Sequence, residues 1–470
     1  MDGQLMPHKW GGTSDLHIYN ANKSKSVFHI PSSLSTLNVL FIERSGATVL
    51  DGNLHIEFLF YLGSDGFSAN GHQITYDENA SIWVSGNAEI SADMISGPNG
   101  IQNIKIFTGS PTLNFDGEIK GDLEIVAAVG QVEIAAGRSI SVSGTTTVGA
   151  PLVIRSDATG TACFLDKGPI SYGGEEDAQI SVERYIPSKD EWHYVSTPVQ
   201  NSTARFFAGS YLNAYDTDNS LWVSFTSLDQ AVNTMQGYSS KIPNAEPSQT
   251  YTFSGQLNTA RMAPLSINLS NGGDKYNLVG NPFPSVIDWD HASWTKANIA
   301  DAVYIWNAST GSYASYVNGA GVNGGSRYIA PMQGFFVQAT GANPSLQIDD
   351  NDVRVYEAAS FLKDDEEFLN QLSIVLEGAT GTDEIMIRFI AEASSGFDEA
   401  YDAHKMFGNL ELAQVFAIDD QELPMAIHTL STVKETEFVK LGLKISETGN
   451  HTLLFNDHES FIENIFLTLE

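Results

Sequence analysis

The chain has 470 residues, 42% apolar and 10% aromatic, and its 57 acidic against 24 basic residues leave a net charge of −33. The apolar content excludes wholesale disorder, and at roughly 150 residues per domain about three domains are expected. Charged residues make up only 17% of the chain beside 41 glycines, which argues against long amphipathic helices and for an all-β fold of short strands and tight turns; so few cations also argue against nucleic-acid and anionic-membrane partners.

The start, residues 1–33, has no charged-then-apolar leader, so the chain either stays inside the cell or is numbered from a cleaved signal. Its segment His8-Lys9-Trp10-Gly11-Gly12 is a candidate for assembly, with the opposing expectation that residues 1–33 cap the repeats after residue 33. Residues 34–172 carry short apolar runs between Gly, Asn, Asp and Ser, with period-two alternation in Ala80–Val84, Ile101–Ile106, Gly121–Ile125 and Val132–Ile134. Leu37, Leu40, Ile42 and Val49 recur as Ile101, Ile104, Ile106 and Leu113, each displaced by 64 residues. Repeated short strands predict a β-solenoid, read as a parallel β-helix, with an antiparallel sandwich of repeated hairpins as the competing fold. The lone cysteine, Cys163, excludes an intrachain disulfide and reads as a buried small residue.

The pattern breaks at Gly168–Asp177, and residues 178–357 hold five of the seven tryptophans, predicting an aromatic-rich β-sandwich with long loops. The acidic run Lys363–Glu367 reads as a linker or an exposed edge, and residues 368–470 as an acidic Ig-like β-sandwich; residues 361–470 contain 22 acidic and 6 basic residues. The chain stops in strand pattern at Phe466–Glu470, expected to be a cleavage point or an engineered boundary.

Val182-Glu183-Arg184-Tyr185-Ile186 with Trp192-His193-Tyr194-Val195-Ser196, and Asn277-Leu278-Val279-Gly280-Asn281-Pro282-Phe283-Pro284-Ser285 running on to Ile287-Asp288-Trp289, resemble modules of the multidomain surface proteins that Bacteroidota export through the type IX secretion system. The stretch Gly396–Gly408 resembles the β-sandwich that precedes their sorting domain. That resemblance implies a secreted, cell-surface location and a structural or adhesive role more often than catalysis.

No metalloprotease helix, nucleophile elbow, P-loop or dinucleotide fingerprint occurs. Asp288 and Asp290 are the carboxylate pair that a glycoside hydrolase would need, with turn capping as the simpler reading; a β-helix lyase would want cations, which are scattered singly through residues 34–172. Ca2+ is the plausible ligand, at Asp216, Asp218 and Asn219 and at Asp349, Asp350 and Asp352, against ordinary solvated turns. Asp398, Glu399, Asp402 and His404 read as a structural loop. Trp222, Trp294, Trp306, Tyr313 and Tyr316 are candidates to stack on sugar rings, with burial in a core as the alternative. The expected function is that of a secreted structural or adhesive protein, self-assembling as a homo-polymer or joining other surface proteins; a carbohydrate-binding array and a polysaccharide-degrading enzyme are the alternatives.

Overall fold

The computed structural model describes residues 6–10, 13–19, 27–43, 46–63, 66–95, 100–127, 129–173, 179–187, 191–243, 248–356, 370–378, 381–394, 396–431, 438–446 and 448–461. The Gly11-Gly12 pair, the stretch Gly174–Asp177, the Lys363–Glu367 linker and the final Phe466–Glu470 stretch lie outside these residues. Among the described residues the chain is all-β: strands, with only short 3-10 turns between them, and no helix long and apolar enough to cross a membrane.

The first half is a parallel β-solenoid of about six turns. From Asn103–Thr108 onward each coil contributes three short strands in a fixed order. The first joins a long sheet running through Ser81–Ser85, Asn103–Thr108, Leu123–Ile125, Thr146–Val148 and Ile170–Tyr172. The second joins Thr112–Asn114, Val132–Ile134 and Leu152–Ile154, and the third joins Gly117–Ile119, Ser139–Val142 and Cys163–Asp166. Leu40, Phe60, Ile82 and Ile104 occupy one rung on successive coils, so the 64-residue displacement in the sequence spans three turns. Every one of these side chains is at most 1% exposed, which is why the repeat preserves apolar positions while its turns vary.

Strand pairing moves the expected boundaries. The solenoid begins before residue 34: Thr13–Tyr19 pairs in parallel with Thr36–Glu43, and Phe28–Ile30 with Thr48–Leu50. Met6–Trp10 then folds back antiparallel on Thr13–Tyr19. At the other end, Ile180–Ile186 belongs to the solenoid and not to the next domain. It lies parallel on Leu152–Ile154, and Ile180 and Val182 are fully buried in the solenoid core. The outer edge of that strand is covered antiparallel by Gln249–Gly255. The break at Gly168–Asp177 thus lies inside the solenoid, whose strand Ile170–Tyr172 falls within it.

The region expected as an aromatic-rich sandwich contains several small sheets. Trp192–Val195, Tyr238–Lys241, Tyr211–Asp216 and Leu221–Ser224 form one; Tyr276–Gly280, Gly334–Ala339, Ile299–Asn307, Ser312–Val317 and Ala320–Val322 form another. The C-terminal region is one seven-stranded sheet built on Gln371–Glu377, Thr382–Phe389 and Pro424–Leu430. Alternation along Thr382–Phe389 sends Ile385 and Ile387 into that sheet's own core, while Met386 packs with Tyr304, Val317 and Phe336 of the five-stranded sheet. The C-terminal region therefore shares a core with the middle one and does not stand apart from it.

Polar contacts, most of them buried, fasten these joints. Arg354, fully buried, pairs with Asp166 of the last coil at 2.5 Å and donates to the Phe164 carbonyl at 2.8 Å. Arg261 donates to the carbonyls of Asp166, Lys167 and Gly168. Between the middle and C-terminal sheets, Arg388 donates to the carbonyls of Asn318 (2.8 Å) and Tyr401 (2.9 Å). Lys405 meets both carboxylate oxygens of Asp383 at 2.6 Å, and Asn323 donates to the same carboxylate at 2.9 Å.

Candidate functional site

Period-two geometry places Trp192 and Tyr194 on one face of Trp192–Val195. Tyr215 and Trp222 are cross-strand partners in the same sheet. Trp306 and Tyr313 oppose one another across the hairpin of Ile299–Asn307 and Ser312–Val317, with ring centroids 5.0 Å apart. These rings meet around a cleft of about 390 Å³ lined by Trp192, Tyr194, Trp222, Trp306 and Tyr313, by Asn213 and Ser239, and by Phe407, Gly408 and Asn409 from the C-terminal region. Trp192 and Trp222 form the exposed lips, at 37% and 40% exposure, and Tyr194 the buried floor.

The ring planes are held from behind. The Trp306 indole N–H donates to the Trp192 carbonyl at 2.9 Å, and the hydroxyls of Tyr194 and Tyr313 share a hydrogen bond at 2.9 Å. Burial pushes both phenols up from their ordinary value, so they stay neutral at physiological pH. The C-terminal wall is pinned by close approach. Asn409 donates its backbone N–H to the Gly311 carbonyl at 2.7 Å, and a Cβ on Gly408 would stand 2.3 Å from that oxygen.

Three of the five expected sugar-stacking residues, Trp222, Trp306 and Tyr313, are thus brought together. The other two belong to cores. Trp294 is 9% exposed, packs on Trp289 at 5.1 Å and donates to the Asp288 carbonyl; Tyr316 is 4% exposed and donates to Asp290. Their neighbouring Asn/Gly/Ser loops suggested exposure, but both side chains point inward. Trp192 and Tyr194 were legible as a same-face pair from their alternation. Phe407 and Asn409 carried no such sign, being about a hundred residues from Trp306.

The remaining candidates do local work. Asp216 accepts the Asn219 side-chain and backbone N–H groups, which hold its carboxyl below the ordinary value; Asp218 accepts from Ser270. Asp349 accepts from Thr295 and Gln347, and Asp350 accepts the Asp352 backbone N–H at 2.8 Å. Among the described residues no three His, Cys, Asp or Glu side chains draw together as a metal set. Asp288 is held bidentately by Arg327 and caps the Asp290 N–H, while burial raises the Asp290 carboxyl. His404 stacks on Phe397 and bonds Gln338. Cys163 is buried, and its thiol is raised by burial.

The two passages of family resemblance pack on each other. Asn281 is fully buried, donates to the carbonyls of Ser285 and Ala330 at 2.8 Å, and its own carbonyl accepts from Ser196. Those signatures hold a joint in the fold, and the cleft lies outside them except for Trp192 and Tyr194.

Fold and cleft define a solenoid protein with a β-rich head that carries an aromatic cleft. A family model described as Domain of unknown function (DUF8693) matches residues 98–468, and the chain belongs to that family. The matched span starts within the solenoid and crosses both joints. No curated protein and no solved structure matches the chain.

Proposed function

We propose that this is a secreted cell-surface protein with a structural or adhesive role, in which the solenoid is a stalk and the rest a head. The observation that supports it best is the continuity of the stalk into the head. One apolar core runs from Leu16 through the coils to Phe207, Tyr238 and Phe253, and the buried Arg354–Asp166 pair closes the joint. A stack of coils whose rungs interlock resists bending, and a head that shares the core at its end moves with it. The likeness to type IX exported proteins supplies the address. Surface biotinylation of intact source cells, with and without a working type IX secretion system, tests it. Labelling that depends on that system is expected; a chain labelled only after lysis would overturn the proposal.

A further inference from the structure

We propose that the aromatic cleft binds a neutral pyranose unit of a polysaccharide, giving the adhesive role its ligand; the inference rests on the adhesive reading above. A pyranose offers a flat C–H face and a rim of hydroxyls. Trp192 and Trp222 are partly exposed rings, while the hydrogen bonds of Trp306 and Tyr313 fix their planes in advance, which lowers the ordering cost of binding. The volume of about 390 Å³ falls at the lower end of the roughly 300–1,000 Å³ usual for small-ligand sites, the scale of a sugar or two in a longer chain.

The polar groups discriminate among occupants. Asn213 has its amide oxygen engaged by the Ser224 hydroxyl at 2.7 Å, and Asn409 by the Glu411 backbone N–H at 3.1 Å. Each therefore offers its NH2 group to an acceptor such as a sugar hydroxyl. A purely apolar peptide side chain would cover those groups without satisfying them, which is costly. A uronate or sulfated sugar would enter a cleft with no charged side chain in its lining, on a chain of net charge −33. The nearby ammonium groups of Lys241 and Lys444 lie over the rings of Trp192 and Phe407 and do not line the cleft.

The test is affinity electrophoresis of the full chain through gels containing laminarin, galactomannan or xylan, and in parallel alginate or polygalacturonate. Tryptophan-fluorescence titration with oligosaccharides of the retarding polymer then gives the affinity. Retardation by at least one neutral polysaccharide is expected, with affinity falling tenfold or more in Trp222→Ala and Trp306→Ala. Trp83→Ala, an equally exposed ring on the solenoid, should leave retardation unchanged. Trp222 is 40% exposed, so its variant should melt as the parent does and serves as the deciding one if Trp306→Ala is destabilised. No retardation by any neutral polymer, retardation by the uronates alone, or equal loss in Trp83→Ala would each overturn the proposal. Surface labelling would stand unaltered by any of these results, so the two readings fail separately.

Discussion

Lys405 and Asp383 form a buried ion pair at the joint between the middle and C-terminal sheets, at 3% and 2% side-chain exposure. Burial lowers the Lys405 pKa, a sign of how much the site depends on its partner. Removing one member strands the other: Lys405→Met is expected to cost about 3–5 kcal/mol, and Lys405→Met with Asp383→Leu to recover most of that, measured by urea unfolding. Asp402, also buried there, accepts the backbone N–H groups of Thr429 and Asp398, with His428 at 3.9 Å and the Arg388 guanidinium within electrostatic reach. Burial nonetheless dominates and raises its pKa to about 6. A carboxyl whose folded pKa lies above its unfolded value of about 3.9 stabilises the fold fully below that lower value and loses the contribution as pH rises through 6. Between pH 4 and 7 the parent should therefore lose stability relative to Asp402→Asn by on the order of 2 kcal/mol. Parallel melting curves for the two proteins would contradict this. Neither cluster was legible in the sequence, because Asp383, Asp402 and Lys405 look like ordinary surface residues until two sheets close over them.

At the scale of the coil, the repeat was legible because a solenoid imposes the same demand at every turn. Rung positions must be apolar, and a 64-residue offset keeps them so. Glycine marks a second demand. Gly121, Gly144 and Gly168 stack on successive coils, with the Gly144 N–H donating to the Gly121 carbonyl at 2.8 Å; a Cβ on Gly168 would stand 1.6 Å from the Gly144 oxygen. Gly168→Ala must push two coils apart and is expected to cost at least about 1–3 kcal/mol, read by thermal unfolding. Gly71→Ala, at a turn where the added carbon meets nothing within 4 Å, bears only the backbone strain of its positive φ and should cost less. What the sequence concealed was where the coils stop. Ile180–Ile186 has the composition of any strand, and its place was decided by which edge it found, Leu152–Ile154.

For the molecule as a whole, the all-β class and the solenoid followed from composition and periodicity, whereas the unity of stalk and head did not. Three arginines at the joints, Arg261, Arg354 and Arg388, bond backbone carbonyls, the hydroxyls of Ser285 and Thr429 and one aspartate, and such pairings leave no pattern in a single sequence. Both ends of the coil stack finish in an antiparallel strand, Met6–Trp10 at one and Gln249–Gly255 at the other. Coil-on-coil growth into a filament thus meets the head at one end. The chain is expected to run as a monomer of 51.0 kDa in light scattering, in calcium and in chelator alike; growth of the particle in either buffer would restore the self-assembly expected from the repeats.

The strand Gln249–Gly255 also sets an order in time. A chain that emerges amino end first can wind its coils as far as Ile180–Ile186, but the outer edge of that strand stays bare until residue 249 and those beyond it have emerged. An unpaired edge is a template for any other strand. For this protein the hazardous interval during synthesis is the emergence of the first half of the head, and the middle region acts as a clasp that closes only when the stalk is already built. A chain ending at residue 187 would never leave that interval. It is expected to self-associate where the full chain stays single, a difference that the same scattering measurement would detect.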